Sequence, residues 1–386
     1  LITVIWIDWY SYHLSRLRAL LEHKAFRRLV TGIELVGGCG VHRGLQFRES
    51  ERDGLPISSL FPNSDWDQVG QLRLARAVWR ELGQLNPSSV LVPGWYTAPA
   101  LASALWAKLH RRSSILMSET TEQDHPRAWW KERSKRILVR FLFDFGIAGG
   151  KPHVRYLRKL GFQPDKIARC YDVVDNAFFE RATDRIRQNS KLRQLSGLPE
   201  RFFLYVGRLA PEKNLPVLLR AFASYRSAGG TWSLVLVGDG GDRPELEALS
   251  QQLCVDREVM FAGLQVANRL PHYYAFAGCF VLPSIREPWG LVVNEALASG
   301  LPVLVSSRCG CAEDLVESEG NGYLFDPNNE TELSDRMLAM DFSSPQTRGA
   351  MGSRSRAIVA GYSPARWAAE VARICQGRKC DSSCEF

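Results

Sequence analysis

The residues with the most chemistry to offer stand in two short segments. In FVLPSIREPWGLVVNEALASG (280–300), Glu287 and Glu295 are separated by seven residues, an apolar run ends at Pro283, and a helix is predicted to start near Trp289 or Gly290. A carboxylate presents two acceptor oxygens, so Glu287 and Glu295 flanking one crevice suit vicinal hydroxyls. The helix start adds unpaired N–H groups and the positive end of the helix dipole, which favour phosphate. In FLYVGRLAPEKNL (203–215) a strand runs into Gly207, Arg208 follows, and Lys213 comes five residues later. Two fixed cations above a strand end neutralise the charge that develops on a departing diphosphate without help from a metal. Taken without its neighbours, the Glu287/Glu295 pair reads equally well as a solvated helix start.

The elements that must hold these side chains alternate in kind. FFLYVG, LPVLLRAFASYR, WSLVLVG, RPELEALSQQL, VMFAG, NRLPHYYAFA, CFVLPS, VVNEALASG and LPVLVS follow one another from 202 to 306. Strand and helix in strict turn predict a doubly wound parallel sheet, with ligands beyond the carboxyl ends of its strands. The first half repeats the theme less regularly: ITVIWID, HLSRLRALLEHKAF, GIELVGG, a helix over 67–84, SVLVPG, ALASALWAKLH and SSILMSE. Two α/β domains are expected, 1–176 and 177–362, with a polar, charge-rich stretch at 181–201 just past the boundary. The segment 363–386 carries Trp367, Val371 and Ile374 at helical spacing and predicts a final helix.

Composition narrows the class. With 45% hydrophobic and 23% charged residues in 386, disorder and collagen-like repeats are excluded. No apolar stretch approaches the roughly 18–20 residues needed to span a bilayer, and the opening LITVIWID reads as a buried strand, so a cytoplasmic address is expected. The nine cysteines are scattered, which predicts reduced thiols. Cys375, Cys380 and Cys384 fit no zinc spacing, and no metal site is expected. Net charge is +8, and the excess lies wholly in residues 1–180, where 26 Lys and Arg face 18 Asp and Glu. Such a half suits an anionic partner. The stretch Arg127–Lys159 interleaves Trp129, Trp130, Ile137, Leu138, Phe141 and Phe145 with cations, which reads either as an amphipathic helix on an anionic membrane or as a core helix with a solvated basic face. Nucleic acid is not expected, because no recognition signature accompanies the charge.

The ordered motifs resemble glycosyltransferase family four, retaining enzymes that use nucleotide sugars. The resemblance covers 201–326 and rests on GRLAPEKN (207–214), LVGDG (236–240), FAGL (261–264), EPWGLVVNEALASGLPV (287–303) with its two glutamates, GCAEDLV (310–316) and GNGYLF (320–325). DVVDNAFF (172–179) is similar to the family's interdomain segment. The resemblance implies a GT-B fold of two Rossmann-like domains facing across a cleft, with the last helix crossing back to the first domain. It further implies that Arg208 and Lys213 hold the diphosphate, Glu287 the donor sugar and Glu295 the ribose. Backbone at Gly290 and Leu291, beside Gly207 and Trp289, adds to phosphate binding, and Gly263 and Leu264 lie along the base. No cofactor beyond the nucleotide sugar and no enzyme nucleophile is implied; the acceptor is a glycolipid or polysaccharide precursor. An epimerase on the same fold and a catalytically silent nucleotide-sugar-binding subunit are the alternatives.

The acceptor half is less like the family. Glu119, Asp124 and His125 follow the strand SSILMSE and are candidates for the acceptor side, although His125, before Pro126, also reads as a turn cap. His13, with Tyr10 and Tyr12, stands where many relatives carry a glycine-rich loop, and a lone histidine after a strand is often structural. Asp65, Trp66 and Asp67 spell a metal-binding DxD pattern but read better as a helix N-cap. VGDGGDR imitates a dinucleotide fingerprint, yet Arg243 fills the place of its last glycine, which argues against a nicotinamide enzyme. Cys309 and Cys311 read as small packing residues.

Overall fold

The structure is a computed structural model that describes residues 1–26, 29–37, 52, 54–122 and 128–376. The chain divides into two units, Leu1–Val174 together with the segment from Ser363, and Asp175–Tyr362. The first unit runs β1 (Ile2–Trp6), α1 (Ser11–Glu22), β2 (Val30–Glu34), β3 (Ile57–Ser59), α2 (Gln71–Leu85), β4 (Ser89–Pro93), α3 (Ala98–Leu109), β5 (Ser113–Ser118), α4 (Trp129–Leu142), β6 (Phe145–Ala148), α5 (Lys151–Lys159) and β7 (Ile167–Ala168). Its strands are parallel in the order β3-β2-β1-β4-β5-β6-β7. A parallel sheet is covered on both faces, which is why all five residues of β1 are buried and read as one apolar run.

The second unit begins with α6 (Asn176–Arg187) and α7 (Ser190–Leu195), so most of the polar stretch 181–201 is helical, and α6 buries Phe179, Thr183 and Ile186. It continues through β8 (Phe202–Val206), α8 (Leu215–Ser227), β9 (Ser233–Val237), α9 (Arg243–Gln252), β10 (Val259–Gly263), α10 (Leu270–Phe276), β11 (Cys279–Leu282), α11 (Leu291–Ala298), β12 (Val303–Ser306), α12 (Ala312–Leu315), β13 (Gly322–Phe325), α13 (Glu330–Phe342) and α14 (Pro345–Val359). Six parallel strands lie in the order β10-β9-β8-β11-β12-β13. Each sheet therefore reverses direction once, between β1 and β4 and between β8 and β11, and in such sheets the crevice at the reversal is where ligands bind.

Local starts differ from the sequence reading where turns intervene. Residues 66–68 form a separate 3-10 turn, in which Asp65 N–H donates to Gln68 Oε1 at 3.0 Å, and α2 starts only at Gln71. Arg127–Lys159 is not one helix, because β6 separates α4 from α5. The last helix, α15 (Pro364–Cys375), packs in the first unit. Trp367 is fully buried there, 6.2 Å from the Trp6 ring, and Arg373 donates to the carbonyl oxygens of Ile167 at 2.7 Å and Asp165 at 3.3 Å. Among the described residues no helix is long and apolar enough to cross a membrane.

Candidate functional site

At the β8–β11 reversal the two segments singled out by their chemistry meet. β8 ends in Gly207 and Arg208, and a 3-10 turn, Pro211–Lys213, brings Lys213 back toward the loop after β11. Lys213 Nζ donates to Glu287 Oε2 in a close contact between two mostly buried side chains, and Ser284 Oγ donates to the same oxygen at 3.3 Å. The loops are stitched together: Ile285 N–H donates to Glu212 O at 3.0 Å, and the Asn214 side-chain amide donates to Pro283 O at 3.3 Å and Pro327 O at 2.7 Å. Asn214 adopts φ 57°, a left-handed conformation that Asn tolerates, and so turns the chain into α8. Arg208 is exposed and donates to Glu212 Oε1 at 2.7 Å. Both cations thus carry carboxylate partners.

Helix α11 opens at Leu291, after the loop that leaves the carboxyl end of β11, behind Gly290, whose φ of 103° only glycine adopts readily. One turn in, half-buried Glu295 accepts a hydrogen bond from the Tyr274 hydroxyl at 2.8 Å. Burial pushes the Glu295 carboxyl up to about 7, and the Tyr274 bond partly offsets this. The fully buried Tyr274 of α10 was legible in the sequence only as part of a helix.

Two of the three glycines of VGDGGDR have a steric purpose. A Cβ on Gly238 would lie 1.9 Å from Gly207 O, and one on Gly240 would lie 2.1 Å from Leu209 O. The close approach lets Gly207 N–H reach Val237 O at 3.0 Å and Leu209 N–H reach Asp239 O at 3.0 Å, which fixes the loop carrying Arg208. Arg243 opens α9 and is held by Glu247 at 2.7 Å.

The family described as glycosyl transferases group 1 matches residues 187–357, within the second unit. The chain carries a glycosyl transferases group 1 domain. An uncharacterized glycosyltransferase of Methanocaldococcus jannaschii is 37% identical over 36% of this chain and 36% of its own length. A D-inositol 3-phosphate glycosyltransferase of Acidothermus cellulolyticus is 32% identical over 70% of this chain and 66% of its own length. The chain spans about a third to two thirds of the length of the curated relatives it matches. Among solved structures, Anabaena HepE in complex with UDP and glucose has a TM-score of 0.73 at 20% identity, covering 96% of this chain and 98% of that one. The fold is that of the GT-B glycosyltransferases.

Within the group 1 domain, the structure brings Gly207, Arg208, Lys213, Glu287, Gly290, Leu291 and Glu295 to the carboxyl ends of β8 and β11 and the start of α11. Gly263 (φ 69°) ends β10, two strands from β8, and exposed Leu264 follows it. Trp289 is turned inward instead: it is buried, its Nε1 donates to Asn294 at 2.8 Å and its ring lies 5.7 Å from Tyr362. A large apolar ring gains more from that packing than from the sheet edge. Cys309 and Cys311 are buried behind the same loop, whose Glu287 O accepts from Gly310 N–H at 2.9 Å.

In the first unit, Glu119 follows β5 as an exposed residue. Burial and the Glu119 charge hold the Asp172 carboxyl well above its ordinary range. Buried Arg16 lies 3.8 Å from Asp172 and 4.6 Å from the Tyr171 ring centre. His13 is a packing residue: its ring stacks on Trp6 at 4.5 Å, its Nδ1 accepts from Tyr10 N–H at 3.3 Å, and burial keeps it neutral. Asp124, His125 and Arg127, like Cys380 and Cys384, lie outside the described residues. Among the described residues no group of three metal-binding side chains comes together.

Proposed function

We propose that this chain transfers a hexose or related sugar from a nucleoside diphosphate to a glycolipid or polysaccharide-precursor acceptor, with retention, as a family four enzyme that needs no metal. The observation that carries the reading is the Lys213–Glu287 contact at the β8–β11 reversal, a phosphate-binding cation beside a hydroxyl-binding carboxylate. Arg208 and Lys213 exchange their carboxylate partners for the diphosphate, and the N–H groups of Gly290 and Leu291 add to its binding. Glu287 then accepts from the donor sugar hydroxyls and Glu295 from the ribose, while Gly263 and Leu264 run along the base. The bond from the anomeric carbon to the diphosphate breaks, a bond to the acceptor oxygen forms on the same face, and the acceptor proton passes to the leaving phosphate. Glu119 and His125 serve the acceptor side. The reading puts the reaction in the cytoplasm, beside the membrane.

UDP-glucose is the first donor to test, since UDP and glucose occupy the Anabaena relative. The experiment is turnover of UDP-glucose with candidate acceptors in the presence of a chelator, with product anomers read by NMR. Transfer with retention, abolished in Glu287→Ala, supports the reading. Wild-type turnover in that variant, or strict dependence on a divalent metal, overturns it. Conversion of the donor without any acceptor supports the epimerase instead, and nucleotide binding without turnover supports the silent subunit.

A further inference from the structure

Helix α4 breaks the usual rule for a surface helix. At about 100° per residue, Trp130, Ile137 and Phe141 fall within about 40° of one another, on the side opposite the inward Lys135, Val139 and Leu142. The outermost line of the helix is therefore apolar, where a solvated helix carries polar side chains. The exposures agree: Trp130 is 55% exposed, Ile137 65% and Phe141 59%, with Trp129 at 78% beyond them. The strip continues onto α3, where Leu109 is 64% exposed and Lys108 Nζ lies 5.9 Å from the Phe141 ring centre.

The exposed charge on α4 itself is all positive, and the nearest acid beyond it, Asp144, lies 3.8 Å from Lys108 Nζ. Lys131, Arg133, Arg136 and Arg140 are exposed on α4. Its one acidic residue, Glu132, is occupied inward, accepting from the Tyr156 hydroxyl at 3.0 Å and pairing with Lys135 at 3.4 Å. Lys135, which the sequence placed among the solvated cations, is buried beneath Trp95, 4.7 Å from its ring centre.

We infer that the outer face of α4, extended by the end of α3, docks on an anionic lipid surface. Trp129 and Trp130 sit at headgroup depth, Ile137 and Phe141 enter the acyl boundary, and the arginines meet lipid phosphates. A second copy of the chain docking by the same face would set these like charges against one another with no anionic match. The use of the surface, delivering the enzyme to a lipid-borne acceptor, rests on the transferase reading; the surface itself does not.

The test is co-sedimentation of the full chain with vesicles of phosphatidylcholine alone or mixed with phosphatidylglycerol, alongside nucleotide binding and sedimentation velocity without lipid. The expected result is binding to the anionic vesicles alone, loss of most of it in Trp130→Ser/Ile137→Ser/Phe141→Ser, and roughly 100-fold weaker binding in Arg133→Gln/Arg136→Gln/Arg140→Gln. Both variants keep nucleotide binding, because they change exposed residues of the other unit. No vesicle binding, or equal binding by wild type and the apolar variant, overturns the inference while leaving the donor site standing. A wild-type dimer that becomes a monomer in the apolar variant, without vesicle binding, overturns it in favour of a second copy of the chain.

Discussion

Replacing Tyr274 by phenylalanine removes one oxygen and little else. The ring is fully buried, 5.9 Å from Phe179 and 6.2 Å from Phe280, so the packing stays and only the hydroxyl that donates to Glu295 Oε2 at 2.8 Å is lost. Burial already holds the Glu295 carboxyl up at about 7, and the lost bond is the influence that pulls it down. A hydrogen bond to a charged group contributes about 1.5–3 kcal/mol. The neutral acid keeps part of that, so the carboxyl rises by about one further unit, at 1.36 kcal/mol per unit. The ionised fraction near pH 7 then falls from about half to about a tenth. With Glu295 binding ribose as a carboxylate, affinity for a nucleotide sugar at that pH drops roughly five-fold and returns about one unit higher. The assay is calorimetric titration with UDP-glucose at intervals from about pH 6 to 9. A sugar nucleotide is used because a terminal phosphate itself titrates near 6. A wild-type affinity flat across this range, or the same pH profile in both proteins, refutes the reasoning.

Three further outcomes are expected. Because the folded-state carboxyl of Glu295 lies at about 7 against an ordinary 4.5, the folded state retains a proton that the unfolded chain has released; its contribution to stability falls as pH rises from 4.5 through 7. Glu295→Gln is therefore expected to gain melting temperature relative to wild type across that interval, read by scanning calorimetry. Lys213→Met and Glu287→Gln each cost about 2 kcal/mol, less than a fully buried pair because both side chains keep some solvent, and the double variant loses about 1–2 kcal/mol less than the sum in urea unfolding. Gly238→Ala, which drives a methyl into Gly207 O, costs upwards of about 2 kcal/mol. Gly241→Ala, with nothing within 4 Å of the added carbon, stays within about 0.5 kcal/mol by the same measurement.

The parallel sheets were legible because a strand buried on both faces must be a short apolar run, and β8, β9, β11 and β12 are such runs with glycine or proline soon after them. The order of Arg208, Lys213, Glu287 and Glu295 along the chain was equally plain, since motif spacing is a local property. Their partners were not. Glu212 closes on Arg208 only because a 3-10 turn folds the loop back, and Tyr274 reaches Glu295 from a helix 21 positions earlier. Nothing in GRLAPEKN or LPHYYAF states either contact.

Side-chain direction was the second gap. Trp289, His13 and Lys135 each stand in segments that read as exposed or ligand-facing, and each is buried against an aromatic ring: Tyr362, Trp6 and Trp95 respectively. Conversely, Trp130, Ile137 and Phe141 have the composition of a core and point away from it. A residue type records what a side chain can bury, whereas the direction it takes depends on which element lies above it. The last helix shows the same division at larger scale. Its amphipathic spacing is written in residues 364–375, but the surface it covers is built by α1 and β7 more than 190 positions earlier, and contacts across that separation exist only once the first sheet has formed.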